Sequence, residues 1–86
     1  MPYFWSDSAW GDYQYWLSQD KKTLRRVNAL LKEISRVGEK PFGKAEILKG
    51  TEGLRSVRID QKNRLVYKVD GGVVRVVSVR GHYSDK

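Results

Sequence analysis

Apolar residues recur along this chain with two different periods, and the change of period divides it. Leu24, Val27, Leu31 and Ile34 follow three- and four-residue steps, the spacing that places side chains on one face of a helix. Lys21, Lys22, Arg25, Arg26 and Lys32 fall mostly off that stripe. Asp20 precedes the stripe as an N-cap, and Gly38 and Pro41 follow it as stop signals. Upstream, Trp10, Tyr13, Trp16 and Leu17 give a second, aromatic stripe behind Ser6 or Asp7 as cap. The gap between the two stripes is short, which predicts an antiparallel helical hairpin. Residues 2–5 are aromatic and led by proline, a composition suited to an edge strand.

Beyond Gly38 the period falls to two. Gly43, Gly50 and Gly53 punctuate a loop-rich stretch around the short segment Glu46-Ile47-Leu48. Residues 56–60 and 64–69 then alternate polar with apolar side chains, and residues 73–80 are rich in valine. Asp70-Gly71-Gly72 between the last two is a hairpin turn signal. Strand, two helices and a meander of strands imply an α+β fold. The expected arrangement is an N-terminal strand and helical hairpin packed on one face of a twisted antiparallel sheet, with the other face free to bind a ligand. With 86 residues and no repeat or linker, the chain is expected to form a single domain, 1–86.

Composition narrows the function classes. The absence of cysteine removes disulfides and thiolate metal sites, and one histidine removes the His-rich zinc sites. No metal site and no cofactor is expected. The N-terminal residues lack the basic start and apolar run of a signal peptide, and no apolar stretch reaches the ~20 residues of a membrane span. A cytoplasmic location without membrane association is the expectation. The net charge of +7 is unevenly distributed. Residues 1–20 hold Asp7, Asp12 and Asp20 and no Lys or Arg, while residues 21–86 hold all seventeen basic side chains against seven acidic ones. Such a surface suits a polyanion, because Lys and Arg replace the counterions condensed on phosphates.

The chemistry is to be sought in the basic half. Seven of the ten aromatic residues lie in the first sixteen positions. They could stack on bases, but an acidic segment repels phosphate, so a core or interface role fits them better. In the second half, Lys44, Glu46 and Lys49 share one loop or short strand. Arg58 and Arg64 flank a short turn and face the same side if the hairpin register is regular. Arg80, His82 and Tyr83 follow the longest strand. Singly, a terminal histidine or a glutamate among lysines is an ordinary surface residue. Together they form the set that metal-free RNA cleavage needs. RNA carries its own nucleophile, the 2′-hydroxyl, beside the phosphate. One group must take its proton and another must give a proton to the departing 5′-oxygen. Glu46 and His82 suit those roles. Arg64 and Arg58 can hold the extra negative charge of the phosphorane, and Tyr83 can stack on a base or orient the phosphate.

These residues stand in an order that resembles the YoeB (Txe/YoeB) toxins of the RelE superfamily. The likeness runs through Trp5-Ser6, the run Trp10-Gly11-Asp12-Tyr13-Gln14-Tyr15-Trp16, Asp20-Lys21-Lys22, the Asn28 to Ile34 stretch, Gly43-Lys44-x-Glu46-x-Leu48-Lys49-Gly50, Arg58-Ile59, Arg64-Leu65-Val66-Tyr67 and His82-Tyr83. The resemblance implies a microbial-ribonuclease-like fold and metal-independent cleavage of mRNA in the ribosomal A site. It also implies inhibition by an acidic YefM/Phd-type antitoxin. It assigns catalysis to Glu46, Arg64, His82 and Tyr83, and phosphate contact to Lys49 and Arg58; the neighbouring cations Lys44 and Arg80 are expected to add to that contact. Lys21, Lys22, Arg25, Arg26 and Lys32 become a ribosome-docking surface, and a homodimer is a further expected partner state. The chain departs from the family at Arg55, where an aromatic is common, at Gly81, where a tyrosine is common, and in a short stretch over 38–42. Gly81 is expected to loosen the backbone beside His82. Two other functions compete: a relative acting on gyrase, which does not need the Glu–Arg–His–Tyr set, and a non-catalytic RNA- or ribosome-binding module, which gives no reason for Glu46 in a basic site.

Overall fold

A computed structural model describes residues 1–81. The elements run β1 (Tyr3–Trp5), α1 (Asp7–Gln19), α2 (Lys21–Val37), β2 (Ala45–Ile47), β3 (Arg55–Arg58), β4 (Arg64–Asp70) and β5 (Val73–Ser78). The α+β arrangement follows the sequence pattern, and one feature departs from it. The five strands form one sheet in the order β1-β5-β4-β3-β2, and β1 pairs with β5 in parallel while every other pair is antiparallel. The sheet is therefore mixed. The reason is the helical hairpin: α1 and α2 stand between β1 and the meander, so the last strand returns beside the first in the same direction.

The caps form as the side-chain chemistry requires. Ser6 caps α1, its Oγ accepting from the Ala9 amide at 3.0 Å. Asp20 ends α1 and begins α2. Its amide donates to the Trp16 carbonyl at 2.9 Å, and its carboxylate accepts from the amide and hydroxyl of Thr23 at 3.1 and 2.8 Å. Those bonds hold the Asp20 carboxyl below the usual carboxylate range. The Asp70-Gly71-Gly72 turn places both glycines at positive φ, 60° and 79°, as a tight hairpin with the right-handed strand twist demands.

The core lies between the helices and one sheet face. Leu24, Val27, Leu30, Leu31 and Ile34 of α2 meet Val57, Leu65, Tyr67, Val74 and Val76 of the sheet. The α2 stripe is as the periodicity predicts, with Leu30 added. Burial pushes the Tyr67 phenol above its ordinary value. The α1 stripe is different. Trp16 is buried, but Trp10 and Leu17 remain 49% and 44% exposed, and Ala9 takes the fully buried place. Asp12 and Trp16 on this side of α1 bond to Val79, just past β5. Trp10 lies instead against Trp5 and Tyr13, with ring centroids 5.6 and 5.7 Å away. No helix among the described residues is long and apolar enough to cross a membrane.

Candidate active site on the open sheet face

Strand register decides which side chains share the face that the helices leave open. Glu46 pairs with Ser56, Ser56 with Val66, and Arg58 with Arg64. Paired residues point the same way and alternate residues along a strand share a face. Glu46, Ser56, Arg58 and Arg64 therefore stand together on the side opposite Val57, Leu65 and Tyr67. This is the regular register that the sequence pattern required for the two arginines.

Arg64 organises the group. Its side chain lies across the sheet from β4 over β3 to β2. Nε donates to the Ser56 hydroxyl, and Nη2 donates to Glu46 Oε1 at 3.2 Å. The two ends of the ion pair are unlike: the Arg64 side chain is 18% exposed and that of Glu46 73%. With its carboxylate end in solvent, such a pair contributes little to stability, about 0–1 kcal/mol. It does orient both groups. The guanidinium has five N–H donors, and among the described residues its bonds are those to Ser56 and Glu46, which leaves donors for an incoming anion. Arg58 is exposed beside it and makes no ion pair among the described residues.

Ser56 is the residue that sequence reasoning missed. It is 1% exposed, a small hydroxyl under a long cation. Its signal was a polar residue in the alternating strand two places before Arg58. A second missed partner lies in the β3–β4 turn. The Asp60 carboxylate accepts from the amides of Lys62 and Asn63, both at 2.8 Å, which shapes the turn. Asn63 Oδ1 then accepts from the Gly81 amide at 2.9 Å, and the Gly81 carbonyl accepts from the Arg64 amide at 3.0 Å. Gly81 has φ +78°, a left-handed conformation that glycine adopts without strain. The expectation that Gly81 loosens the chain is thus corrected: both its polar groups are bonded, and its freedom is used to reach a specific turn.

The other candidates are dispersed. Lys44 turns from Glu46 to Glu33 of α2, pairing at 3.2 Å. Lys49 is exposed in the loop after β2. The Arg80 guanidinium stacks 3.6 Å from the ring centre of Tyr15 on α1, so it is not part of the Arg64 group. Lys21, Lys22, Arg25 and Lys32 are exposed on α2. Arg26 is also exposed, with Nε donating to the Ile59 carbonyl at 3.1 Å. His82 and Tyr83 lie outside the described residues. Among the described residues no three His, Cys, Asp or Glu side chains gather as metal ligands.

Comparison with known proteins places the family and the fold. A family model described as "YoeB-like toxin of bacterial type II toxin-antitoxin system" matches residues 5–83. The chain belongs to this family. Toxin YoeB of Escherichia coli (strain K12) is 37% identical over 84 residues, spanning 96% of this chain and all of the relative. Among solved structures, the YoeB/ParE toxin from Agrobacterium tumefaciens superposes with a TM-score of 0.87 at 34% identity, covering 96% of this chain and 100% of that one. YoeB in the YoeB-YefM complex from Staphylococcus aureus gives 0.83 at 35% identity, over 96% and 98%. The five-stranded sheet with its helical hairpin is the YoeB toxin fold, and the Arg64 group stands on its open face.

Proposed function

We propose that this YoeB-family toxin is a ribosome-dependent mRNA endoribonuclease that cleaves the message in the ribosomal A site without a metal ion. The observation that carries the reading is the pairing of Arg64 with Glu46 on an open, basic sheet face, with Arg58 directly opposite. A carboxylate weakens simple phosphate binding, so its place beside the best-positioned cation fits a proton acceptor better than an anchor. In the proposed reaction Glu46 takes the proton of the 2′-hydroxyl as its oxygen attacks phosphorus. Arg64, assisted by Arg58, holds the charge gathering on the phosphoryl oxygens. His82 gives a proton to the departing 5′-oxygen, and Tyr83 stacks on or orients the substrate. The products are a 2′,3′-cyclic phosphate and a 5′-hydroxyl. Lys49 adds phosphate contact in this scheme, with Lys44 and Arg80 on its margin.

Ribosome dependence follows from how open the site is. Glu46 is mostly solvated. A ribosome that holds the message in line with the 2′-oxygen would supply the missing order. The basic face of α2, with Lys21, Lys22, Arg25, Arg26 and Lys32, is the proposed contact to ribosomal RNA. Cytoplasmic location follows from that target. A YoeB from S. aureus is seen with YefM, and one from the same organism as a dimer. For this chain we therefore expect an acidic antitoxin whose C-terminal segment folds over the basic face, and a homodimer as a further state. The test is cleavage of one defined mRNA, free and ribosome-bound, at equal toxin concentration, with the 5′ fragment's terminus identified. The bound message should be cut at least about 10²-fold faster and end in a cyclic or 3′-phosphate. Equal rates would remove ribosome dependence, and a free 3′-hydroxyl would remove 2′-hydroxyl attack.

A further inference from the structure

The acidic, aromatic first helix has no part in the reaction as described, yet two of its side chains hold the end of the last strand. Val79 follows β5, where the chain leaves the ladder with β4. Its amide donates to Asp12 Oδ2 at 3.1 Å, and its carbonyl accepts from Trp16 Nε1 at 2.8 Å. Asp12 and Trp16 stand four residues apart on α1, on one helix face. Two residues on, Gly81 is bonded at both polar groups by Asn63 Oδ1 and the Arg64 amide. Between them Arg80 lies on the Tyr15 ring. Side chains from α1 and from the β3–β4 turn, with the Arg64 amide, thus hold residues 79–81 in place of a regular sheet ladder. The Val79 contacts are enclosed: Val79 is fully buried and Trp16 nearly so. Burial makes these bonds costly to break, because neither backbone group can turn to water instead.

We infer that Asp12, Trp16 and Asn63 are positioning residues of the toxin: they clamp residues 79–81 against Arg64 and so set the point from which the chain passes on to His82. This inference rests on the proposed cleavage reaction for its catalytic consequence, and on geometry alone for the clamp. It explains why an acidic aromatic helix, which phosphate avoids, belongs to an RNA-directed toxin. Asp12 supplies an acceptor for an N–H, Trp16 a donor for a carbonyl, and the helix holds both at a fixed separation. None of the three touches the reacting atoms. Their effect passes through the backbone of Gly81 and Arg64.

Two measurements test it, on the full chain. The first is amide hydrogen exchange at Val79, Gly81 and Arg64. Asp12→Ala should speed exchange at all three by about tenfold or more and leave the amides of α2 unchanged, while Asp12→Asn, which keeps an acceptor oxygen, should restore most of the protection. Unchanged exchange at Arg64 in both Asp12→Ala and Trp16→Phe would overturn the clamp, whatever the toxin's reaction. The second is cleavage of ribosome-bound mRNA. Asp12→Ala should lower kcat by on the order of 10²-fold with little change in KM, the scale lost when a reacting group shifts by about 1 Å, and Asp12→Asn should recover it. Leu30→Ala, a core substitution away from the clamp, is the control for lost stability: below its melting temperature it should keep kcat. Wild-type kcat in Asp12→Ala, or an equal loss in Leu30→Ala, would refute the positioning role. A wild-type toxin that cuts no mRNA on ribosomes would overturn the functional reading instead, and exchange would still decide the clamp.

Discussion

The two faces of the sheet are made in different ways. On the covered face, Val57, Leu65, Tyr67, Val74 and Val76 pack under the α2 stripe. Each of those residues is there because it is apolar, and a neighbour of similar volume would serve. On the open face, Glu46, Ser56, Arg58 and Arg64 come from three strands. Their relation depends on register and on the reach of one long side chain. The covered face tolerates substitution of detail and suffers from loss of volume. The open face tolerates loss of volume and suffers from loss of a functional group. Stability and activity should therefore separate by face.

The largest expected effect is on the open face. Glu46→Ala or Arg64→Ala should reduce cleavage of ribosome-bound mRNA by about 10²–10⁴-fold, the usual contribution of one acid–base or charge-stabilising group. Glu46→Ala should melt within a few degrees of wild type, since Glu46 is largely solvated, whereas Arg64→Ala also leaves the buried Ser56 hydroxyl unpaired and should cost about 1–3 kcal/mol. A large loss of melting temperature with normal cleavage would invert the comparison. On the covered face, Leu30→Ala should cost about 2–5 kcal/mol in denaturant unfolding, because Leu30 is fully buried and its neighbours can only partly close the cavity.

Ser56 sharpens the contrast because it belongs to the open face and is buried. Ser56→Ala leaves the partly buried Arg64 Nε without its acceptor. Unfolding should show a loss of about 1–3 kcal/mol, and cleavage should fall as well, so this substitution should move both readouts. Gly81→Ala is smaller. A Cβ there meets no atom within 4 Å, so the cost is the left-handed backbone alone, about 1–2 kcal/mol. A larger loss in thermal melts would mean that the segment cannot shift at all. The smallest effect concerns the helical hairpin behind both faces. The Asp20 carboxyl titrates below its ordinary value in the fold. Its cap thus contributes fully above the unfolded carboxylate pKa and is lost as pH falls through the lowered one. Acid unfolding of Asp20→Ala should lack that component, and identical acid profiles would show that the cap contributes nothing.

Parts of this molecule were legible in different degrees. The α2 stripe was plain because Leu24, Val27, Leu31 and Ile34 are apolar among charges, and a helix converts that spacing into one face. The aromatic stripe on α1 misled at Trp10 and Leu17. Spacing shows that residues share a face, and only packing shows how much of that face finds a partner. Ala9 was invisible for the complementary reason: a small residue gives little pattern, yet it is fully buried in the core. Glu46, Arg58 and Arg64 were found by chemistry, since a carboxylate among cations asks for a reason. Lys44 was drawn into the same set by proximity in sequence, but it pairs with Glu33, a residue from another element that no local reading could place beside it.

By itself the sequence determined the α+β class, the hairpin of helices, the turns and the separation of an acidic aromatic segment from a basic one. All of these follow from interactions within a few residues: periodicity, caps, turn chemistry and charge. Tertiary structure alone decided that β1 runs parallel to β5, that Arg64 spans two strands to reach Glu46 over Ser56, and that Asp12, Trp16 and Asn63 take hold of residues 79–81. Those contacts join positions as many as 71 residues apart. Their geometry depends on how sheet twist, strand register and helix placement combine, and no local pattern carries that information.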